Sequence, residues 1–182
     1  MSSIHEFGAV GDGVADDTEA FEHALQMGDG LIEIPRGDYR LTRTLVVDLA
    51  KHHRRAIHGQ GGLAKLIVAH AGPAIVLRGT HGGSADPGSF NPEVWQHERM
   101  PTLSGFEIQG DHPAADGIEI IGVVQPTLTG LLIRRVRTAV HVTERARNLI
   151  ISHCHIYHNT GVGVHLDRLN QHQAIINNSH IS

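Results

Sequence analysis

The sequence predicts an all-β solenoid, a single-stranded parallel β-helix with an N-terminal capping α-helix. Two patterns predict this fold: a repeat of 23–25 residues in the second half, and one short amphipathic helix ahead of the first strands. The composition agrees, because aromatic residues make up only 4% of the chain and there are 21 glycines. We expect one domain over residues 1–182, with the cap turn and helix in 1–30 and the rungs in 31–182.

The glycine- and aspartate-rich stretch EFGAVGDGVADDTEAFEHAL occupies residues 6–25 and suggests a phosphate or calcium loop at first sight. A dinucleotide-binding loop needs a buried strand before its glycines, but only MSSIHEF precedes Gly8. Asp12, Asp16 and Asp17 would also repel a phosphate. An EF-hand needs acidic or amide groups at alternate positions, and that alternation is missing. The stretch is therefore predicted to have a structural role.

That role is to form and orient the capping helix. Asp16 is expected to cap the helix N-terminus, with Glu19 completing a capping-box-like pair. Gly28 is expected to end the helix in a left-handed conformation. Three apolar residues share one helical face and should cover the first rung: Phe21, Ala24 and Leu25.

Short strands follow the helix. LIEI at 31–34 begins a strand with Ile32 and Ile34 on one side, and the later segments AIHG, LIVA and AIVL supply further strands. The segment 80–101 has no periodicity, is long for a connection and contains the single tryptophan, Trp95. We interpret 80–101 as a loop over one face of the solenoid.

The N-terminal third resembles a known superfamily. FGAVGDGVADDTEAFEHAL, LIEIPRGDYRL and IHGQG, within residues 4–62, are similar to the entry signature of the pectate-lyase-like superfamily. Polygalacturonases, rhamnogalacturonases, alginate epimerases and phage tailspikes share it. The resemblance implies a right-handed parallel β-helix whose helix plugs the open end. It implies no particular activity, because one fold hosts many chemistries.

No catalytic residue can be carried over from that superfamily. The sequence lacks the Asn-Thr-Asp and Gly-His-Gly motifs of polygalacturonases and the Asp-Pro-His motif of alginate epimerases. Candidate site residues therefore have to come from the repeat itself.

The repeat appears as LSGFEI, LTGLLI, ISHCHI and INNSHI, with inward-type residues at offsets 0, 3 and 5. The frame of leucine-rich repeats is absent. The residues at offset 0 should stack as one interior column: Leu103, Leu128, Ile151 and Ile176. A second strand follows in each of three rungs: IEI at 118–120, VHV at 140–142 and VGVHL at 162–166.

The second strands carry an outward-facing column of side chains suited to acid–base chemistry. It holds Glu119 and His141, then either His165 or Gly163, because the register of VGVHL is ambiguous by two residues. Asp116, Asp167 and Arg168 flank this column. The candidate catalytic residues are Glu119, His141, His165, Asp116, Asp167 and Arg168.

Two reactions suit this set. Lyases and epimerases of uronic acids need a base with a tuned pKa and a cation. Glu119 or His141 would supply the base, and Arg168 the cation. Glycoside hydrolysis needs two carboxylates, Glu119 with Asp116 or Asp167. The alternative is a polar solvated face without chemistry, which any solenoid has.

A second outward column is Glu107, Leu132, His155 and His180, and we assign His155 and Trp95 to substrate binding. His153, His155 and His158 have a spacing that suggests zinc, but the last lies past a turn and Cys154 falls at an inward offset. No metal site and no cofactor is therefore predicted, and nothing indicates Ca²⁺.

The leading functional prediction is a carbohydrate-active β-helix acting on an acidic polysaccharide as lyase, hydrolase or C5-epimerase. The alternative is a non-catalytic glycan-binding or structural module of the tailspike type. A net charge of −4 argues against nucleic acid as a partner, and no apolar segment indicates a membrane or a signal peptide. Localisation stays open.

The last residues, INNSHIS, stop just after a core isoleucine. An uncapped solenoid end exposes apolar surface and unpaired backbone. We expect the natural chain to continue beyond Ser182. The alternative is a homo-oligomer in which a second copy covers this end.

Overall fold

The chain winds through three parallel sheets, entering them in the same order at each turn. The computed structural model describes residues 1–169 and 172–182. The first sheet contains, in spatial order, β1 (Ser2–Ser3), β3 (Leu31–Ile34), β6 (Ala56–Gly59), β9 (Thr102–Ser104), β12 (Thr127–Thr129), β15 (Leu149–Ser152) and β18 (Ala174–Asn177).

The second and third sheets have the same stacked order. The second contains β2 (Asp12–Asp16), β4 (Gly37–Leu41), β7 (Ala64–Val68), β10 (Phe106–Gly110), β13 (Leu132–Arg134), β16 (His155–Tyr157) and β19 (His180–Ile181). The third contains β5 (Leu45–Asp48), β8 (Gly72–Arg78), β11 (Ala115–Ile121), β14 (Val140–Thr143) and β17 (Val164–Leu166). Among the described residues, five rungs therefore contribute one strand to each sheet, while the first and last contribute strands only to the first two sheets. The predicted right-handed parallel β-helix is confirmed.

The interior column predicted from the repeat is present. Leu103 pairs with Leu128, Leu128 with Ile151, and Ile151 with Ile176, all in parallel register. The first three side chains are buried, whereas Ile176 is 43% exposed because it lies in the last strand of the first sheet. Successive rungs thus bury one another's aliphatic side chains, as the strand period of two requires.

The capping helix α1 (Thr18–Met27) lies in the chain between β2 and β3, where later rungs have a strand of the third sheet. Its buried face includes the predicted Phe21, Ala24 and Leu25. The Phe21 ring meets the edge of the buried Tyr39 ring at 5.8 Å between centroids. The helix therefore seals the first rung with an apolar face.

The details of the predicted helix ends are wrong. The helix begins at Thr18, so Asp17 holds the N-cap position, and Asp16 is the last residue of β2. The Asp16 carboxylate still accepts a hydrogen bond from the Thr18 N–H at 3.0 Å. Glu19 contacts His23 at 3.7 Å and does not complete a capping box.

The Asp17 carboxylate accepts hydrogen bonds from the Val10 and Gly11 N–H groups and so fixes the glycine turn. Gly28 is not left-handed, because its φ is −74°. A Cβ at Gly28 would lie 2.4 Å from the carbonyl oxygen of Ala24, so close backbone approach explains this glycine.

Other helical structure in the described residues is short. It comprises α2 (Leu49–His52), 3₁₀ turns at Ile4–Phe7 and Pro87–Ser89, and a single π-helical turn at Val94–Glu98. Within residues 1–169 and 172–182, no helix has the length and apolar character needed to cross a membrane.

Candidate functional site

The first outward column lies on the third sheet, and its register is now settled. Glu119 pairs with His141, and His141 pairs with His165 rather than with Gly163. The imidazole rings of His141 and His165 stack with centroids 4.9 Å apart and planes 16° apart. Three rungs therefore place a carboxylate and two imidazoles side by side.

His141 lies between two carboxylates. Its Nδ1 is 3.1 Å from Oε1 of Glu119, within hydrogen-bond distance. Its Nε2 is 3.8 Å from Oδ2 of Asp167 and has no hydrogen-bond partner among residues 1–169 and 172–182. The Asp167 N–H donates to the Val142 carbonyl oxygen at 2.9 Å, which holds this turn against the preceding rung. When Nδ1 carries the proton shared with Glu119, Nε2 of the neutral ring is a base.

Both candidate cations at this site are paired with carboxylates. Arg168 contacts Asp167 at 3.1 Å and Glu144 at 3.0 Å. Arg137 donates to Asp116 at 2.6 Å, and the Thr138 N–H donates to the same carboxylate at 3.1 Å. The sequence pattern did not single out Arg137, Thr138 and Glu144. Their spacing from Asp116 and Arg168, close to one rung, was the signal that they would be neighbours.

These residues surround a cavity of about 210 Å³, which we call the third-sheet cavity. Its lining residues are Pro73, Asp116, Ile118, Glu119, Thr138, His141 and His165. The structure thus brings Asp116, Glu119, His141 and His165 to one cavity and places Asp167 and Arg168 beside it. Two carboxylates that flank an imidazole can orient it and accept or donate protons, the requirement for acid–base catalysis.

His155 lies on a different face. The second column is as predicted, since Glu107 pairs with Leu132, Leu132 with His155 and His155 with His180 in the second sheet. Arg134, in the same strand as Leu132, donates a hydrogen bond to the Glu107 carboxylate at 2.6 Å. His155 does not line the third-sheet cavity.

The histidines around His155 do not form a metal site in the described chain. Across residues 1–169 and 172–182, no three His, Cys, Asp or Glu side chains converge in a way that could hold a metal ion. Cys154 is buried, as its inward offset predicts, and burial raises the pKa of its thiol. It therefore packs as a small apolar side chain.

The segment 80–101 lies at the corner that follows the strands of the third sheet. The N–H and hydroxyl of Thr80 both donate to the Glu98 carboxylate at 2.7 Å, which ties the two ends of the loop together. The buried Arg147 donates to the Ser84 carbonyl oxygen at 2.9 Å. No residue of 80–101 lines the third-sheet cavity, so the structure does not bring Trp95 to Glu119 and His141.

His81 anchors the start of this loop in its neutral form. The ring is almost fully buried and stacks on Phe90 with centroids 5.1 Å apart. Burial lowers the pKa of His81, and the charge of Arg147 lowers it further. A hydrogen bond with the Ser84 backbone opposes this shift, Arg145 adds to it, and Glu98 has a smaller opposing effect. Protonation of His81 therefore costs free energy in the folded state.

Acidification is expected to loosen the loop. Because the folded-state pKa of His81 lies below its ordinary value of about 6.5, its contribution to stability is complete above that pH and is lost as the pH falls. Amide hydrogen exchange in 80–101 should be faster at about pH 5.5 than at about pH 7.5, after correction for intrinsic rates. The variant His81→Gln should abolish this difference. If His97→Gln abolishes it instead, the interpretation of His81 is wrong.

Comparison with solved structures identifies the fold. The A-module of the mannuronan C-5 epimerase AlgE4 from Azotobacter vinelandii superposes with a TM-score of 0.67 at 17% identity, covering 97% of this chain. The chain has a parallel β-helix fold. ORF18 of Geobacillus virus E2 matches with a TM-score of 0.62 at 16% identity over 97% of the chain. The surface adhesin PfbA of Streptococcus pneumoniae matches with a TM-score of 0.57 at 16% identity over 85%.

These similarities concern the fold alone. The chain spans 53%, 40% and 37% of the length of the epimerase module, the viral protein and the adhesin, respectively. No protein-family model matches the chain, and a search of curated proteins found no match. An epimerase, a viral protein and an adhesin on one fold show that function has to be inferred from the site.

Proposed function

We propose that the chain is part of a carbohydrate-active β-helix that acts on a polysaccharide through the third-sheet cavity. One observation carries the proposal: the His141 imidazole lies between the carboxylates of Glu119 and Asp167 beside a cavity of about 210 Å³. In the proposed reaction Glu119 orients His141, and His141 moves a proton to or from the sugar. This arrangement serves a lyase, a hydrolase or an epimerase.

The proposed substrate is an acidic polysaccharide. The side chain of Arg168 is 64% exposed, and its partner Glu144 is exposed as well. Exposed ion pairs contribute only about 0–1 kcal/mol, so a substrate carboxylate can replace a protein carboxylate on this guanidinium at little cost. Arg137, whose side chain is also exposed although its partner Asp116 is largely covered, offers a second such exchange.

One observation favours the non-catalytic alternative, a glycan-binding or structural module. Nε2 of His141 is shielded from solvent, and a catalytic base has to reach its substrate. Catalysis therefore requires Asp167 or His165 to move when the glycan binds. A module that only binds glycans would need no such movement.

The test is turnover of a panel of acidic and neutral polysaccharides, measured as new reducing ends, unsaturated products and altered sugar configuration. We expect turnover of an acidic member, reduced about 100-fold in Glu119→Gln, in the range of acid–base contributions. Glu107→Gln is the matched control, because that carboxylate projects from the second sheet and pairs with Arg134. Binding without turnover would favour the non-catalytic module, and the absence of both would contradict the proposal.

A further inference from the structure

A second and larger cavity lies within the loop 80–101. It measures about 390 Å³ and is lined by Pro87, Phe90, Pro92 and Trp95; we call it the loop cavity. The rings of Phe90 and Trp95 meet edge to face with centroids 5.1 Å apart. Trp95 is 42% exposed, although it is a large aromatic residue. The loop thus presents much of the Trp95 ring to solvent, whereas Phe90 also packs on His81.

Each of the two aromatic rings also stacks with a guanidinium. Arg99 lies over Trp95 at 4.2 Å from the ring centroid, and Arg147 lies over Phe90 at 4.5 Å. Neither arginine lines the cavity directly. Both positive charges therefore lie close behind an apolar surface, where water screens them poorly.

Neither guanidinium forms a close ion pair with a carboxylate in the described part of the chain, although the negative charge of Asp86 acts on Arg147. Arg147 is only 3% exposed and donates to the uncharged oxygens of Asn148 and Ser84. The Nε of Arg99 is buried and has no hydrogen-bond partner. Buried charges are normally paired, so the buried Arg147 and the half-buried Arg99 beside one cavity are unusual. By contrast, Arg137 and Arg168 beside the third-sheet cavity are both neutralised.

We propose that the loop cavity binds an acidic sugar residue, a uronate, of a glycan chain. The aromatic rings and prolines accept the apolar C–H face of a pyranose ring. The positive charge of Arg99 attracts the sugar carboxylate, and Arg147, whose charge Asp86 partly offsets, contributes less. A cationic ligand is disfavoured by the charge of Arg99, and a neutral ligand leaves that charge without a counter-ion.

This inference rests on the proposed function in one respect, because it names the acidic sugar as the ligand of a further subsite. It assigns no chemistry to the loop cavity. The third-sheet cavity would perform the reaction, and the loop cavity would hold a distant part of the same glycan chain. Binding at the loop and turnover at the third sheet can therefore be measured separately.

Trp95 is the single tryptophan, so its fluorescence reports on the loop cavity directly. The full chain is titrated with trigalacturonate and, as a matched neutral ligand, with the methyl ester of trigalacturonate. We expect a saturable fluorescence change with trigalacturonate and binding of the ester weaker by about tenfold, a typical effect of losing one charge-assisted contact.

Variants separate the positive charge from the apolar surface. Arg99→Gln should weaken trigalacturonate binding by about tenfold and leave ester binding unchanged, whereas Arg99→Lys should retain part of the discrimination. Arg36→Gln removes an exposed arginine outside the loop and should change neither titration. Glu119→Gln should lower turnover by about 100-fold without affecting the Trp95 signal, so failure of the proposed reaction and failure of this inference are distinguishable.

Three outcomes would overturn the inference. They are an unchanged Trp95 signal at millimolar trigalacturonate, equal affinities for the acid and its ester, and equal effects of Arg99→Gln and Arg36→Gln. If Arg99→Gln fails to fold, the comparison of acid with ester on the unmodified chain still decides between these results.

Discussion

Replacement of Phe21 by alanine is expected to lower the free energy of unfolding by about 3–5 kcal/mol, the range for truncating a buried aromatic side chain. Phe21 is buried in the face of α1 that covers the first rung, and its ring packs on the edge of Tyr39. Loss of the Phe21 ring would leave a void between α1 and the first rung. Equilibrium denaturation followed by far-ultraviolet circular dichroism measures the loss.

The matched control is Met27→Ala in the same helix. The Met27 side chain is 77% exposed, so its removal should change the free energy of unfolding by less than about 0.5 kcal/mol. A loss below about 1 kcal/mol for Phe21→Ala would show that the helix does not seal the core. A separate early transition in the variant would show instead that the cap unfolds before the rungs, which repeat proteins permit.

The fold was predictable because stacking in a β-helix imposes one dominant period. Every rung has to place an apolar residue above the corresponding one below, so Leu103, Leu128 and Ile151 share an offset in sequence and a column in space. The same constraint predicted the outward neighbours Glu119 and His141. Positions that obey the rung spacing are therefore readable without a structure.

Features that depend on which of two neighbouring residues takes a given position or hydrogen bond were not predictable from the rung spacing. Two aspartates precede α1. Only the structure shows that the Asp17 carboxylate accepts a hydrogen bond from the glycine turn, while that of Asp16 accepts one from the Thr18 N–H. Likewise, VGVHL alternates equally well in either register, so His165 and Gly163 could not be distinguished until the pairing with His141 was known.

The position of the loop 80–101 was beyond sequence reasoning for a different physical reason. The segment has no period, and its location follows from contacts between Thr80 and Glu98 and between Arg147 and Ser84. The sequence predicts that Trp95 lies in a functional loop. It does not predict that the loop cavity and the third-sheet cavity are lined by entirely different residues.

Replacement of His141 by alanine is expected to lower kcat on the acidic polysaccharide by about 10²–10⁴-fold, the usual contribution of a general acid or base. His141 projects outward from the third sheet, so its removal leaves the aliphatic interior intact. KM should change much less than kcat, because the proposed role is proton transfer rather than glycan binding.

His155→Ala is the matched control, since this histidine also projects outward from a strand but lies on the second sheet. It should leave kcat unchanged. Added imidazole should restore part of the rate of His141→Ala, because a small base can occupy the space between Glu119 and Asp167. A merely structural role would give no such rescue. If the loss were confined to KM, or were equal in His155→Ala, then His141 would not transfer the proton and the third-sheet cavity would serve only to bind the glycan.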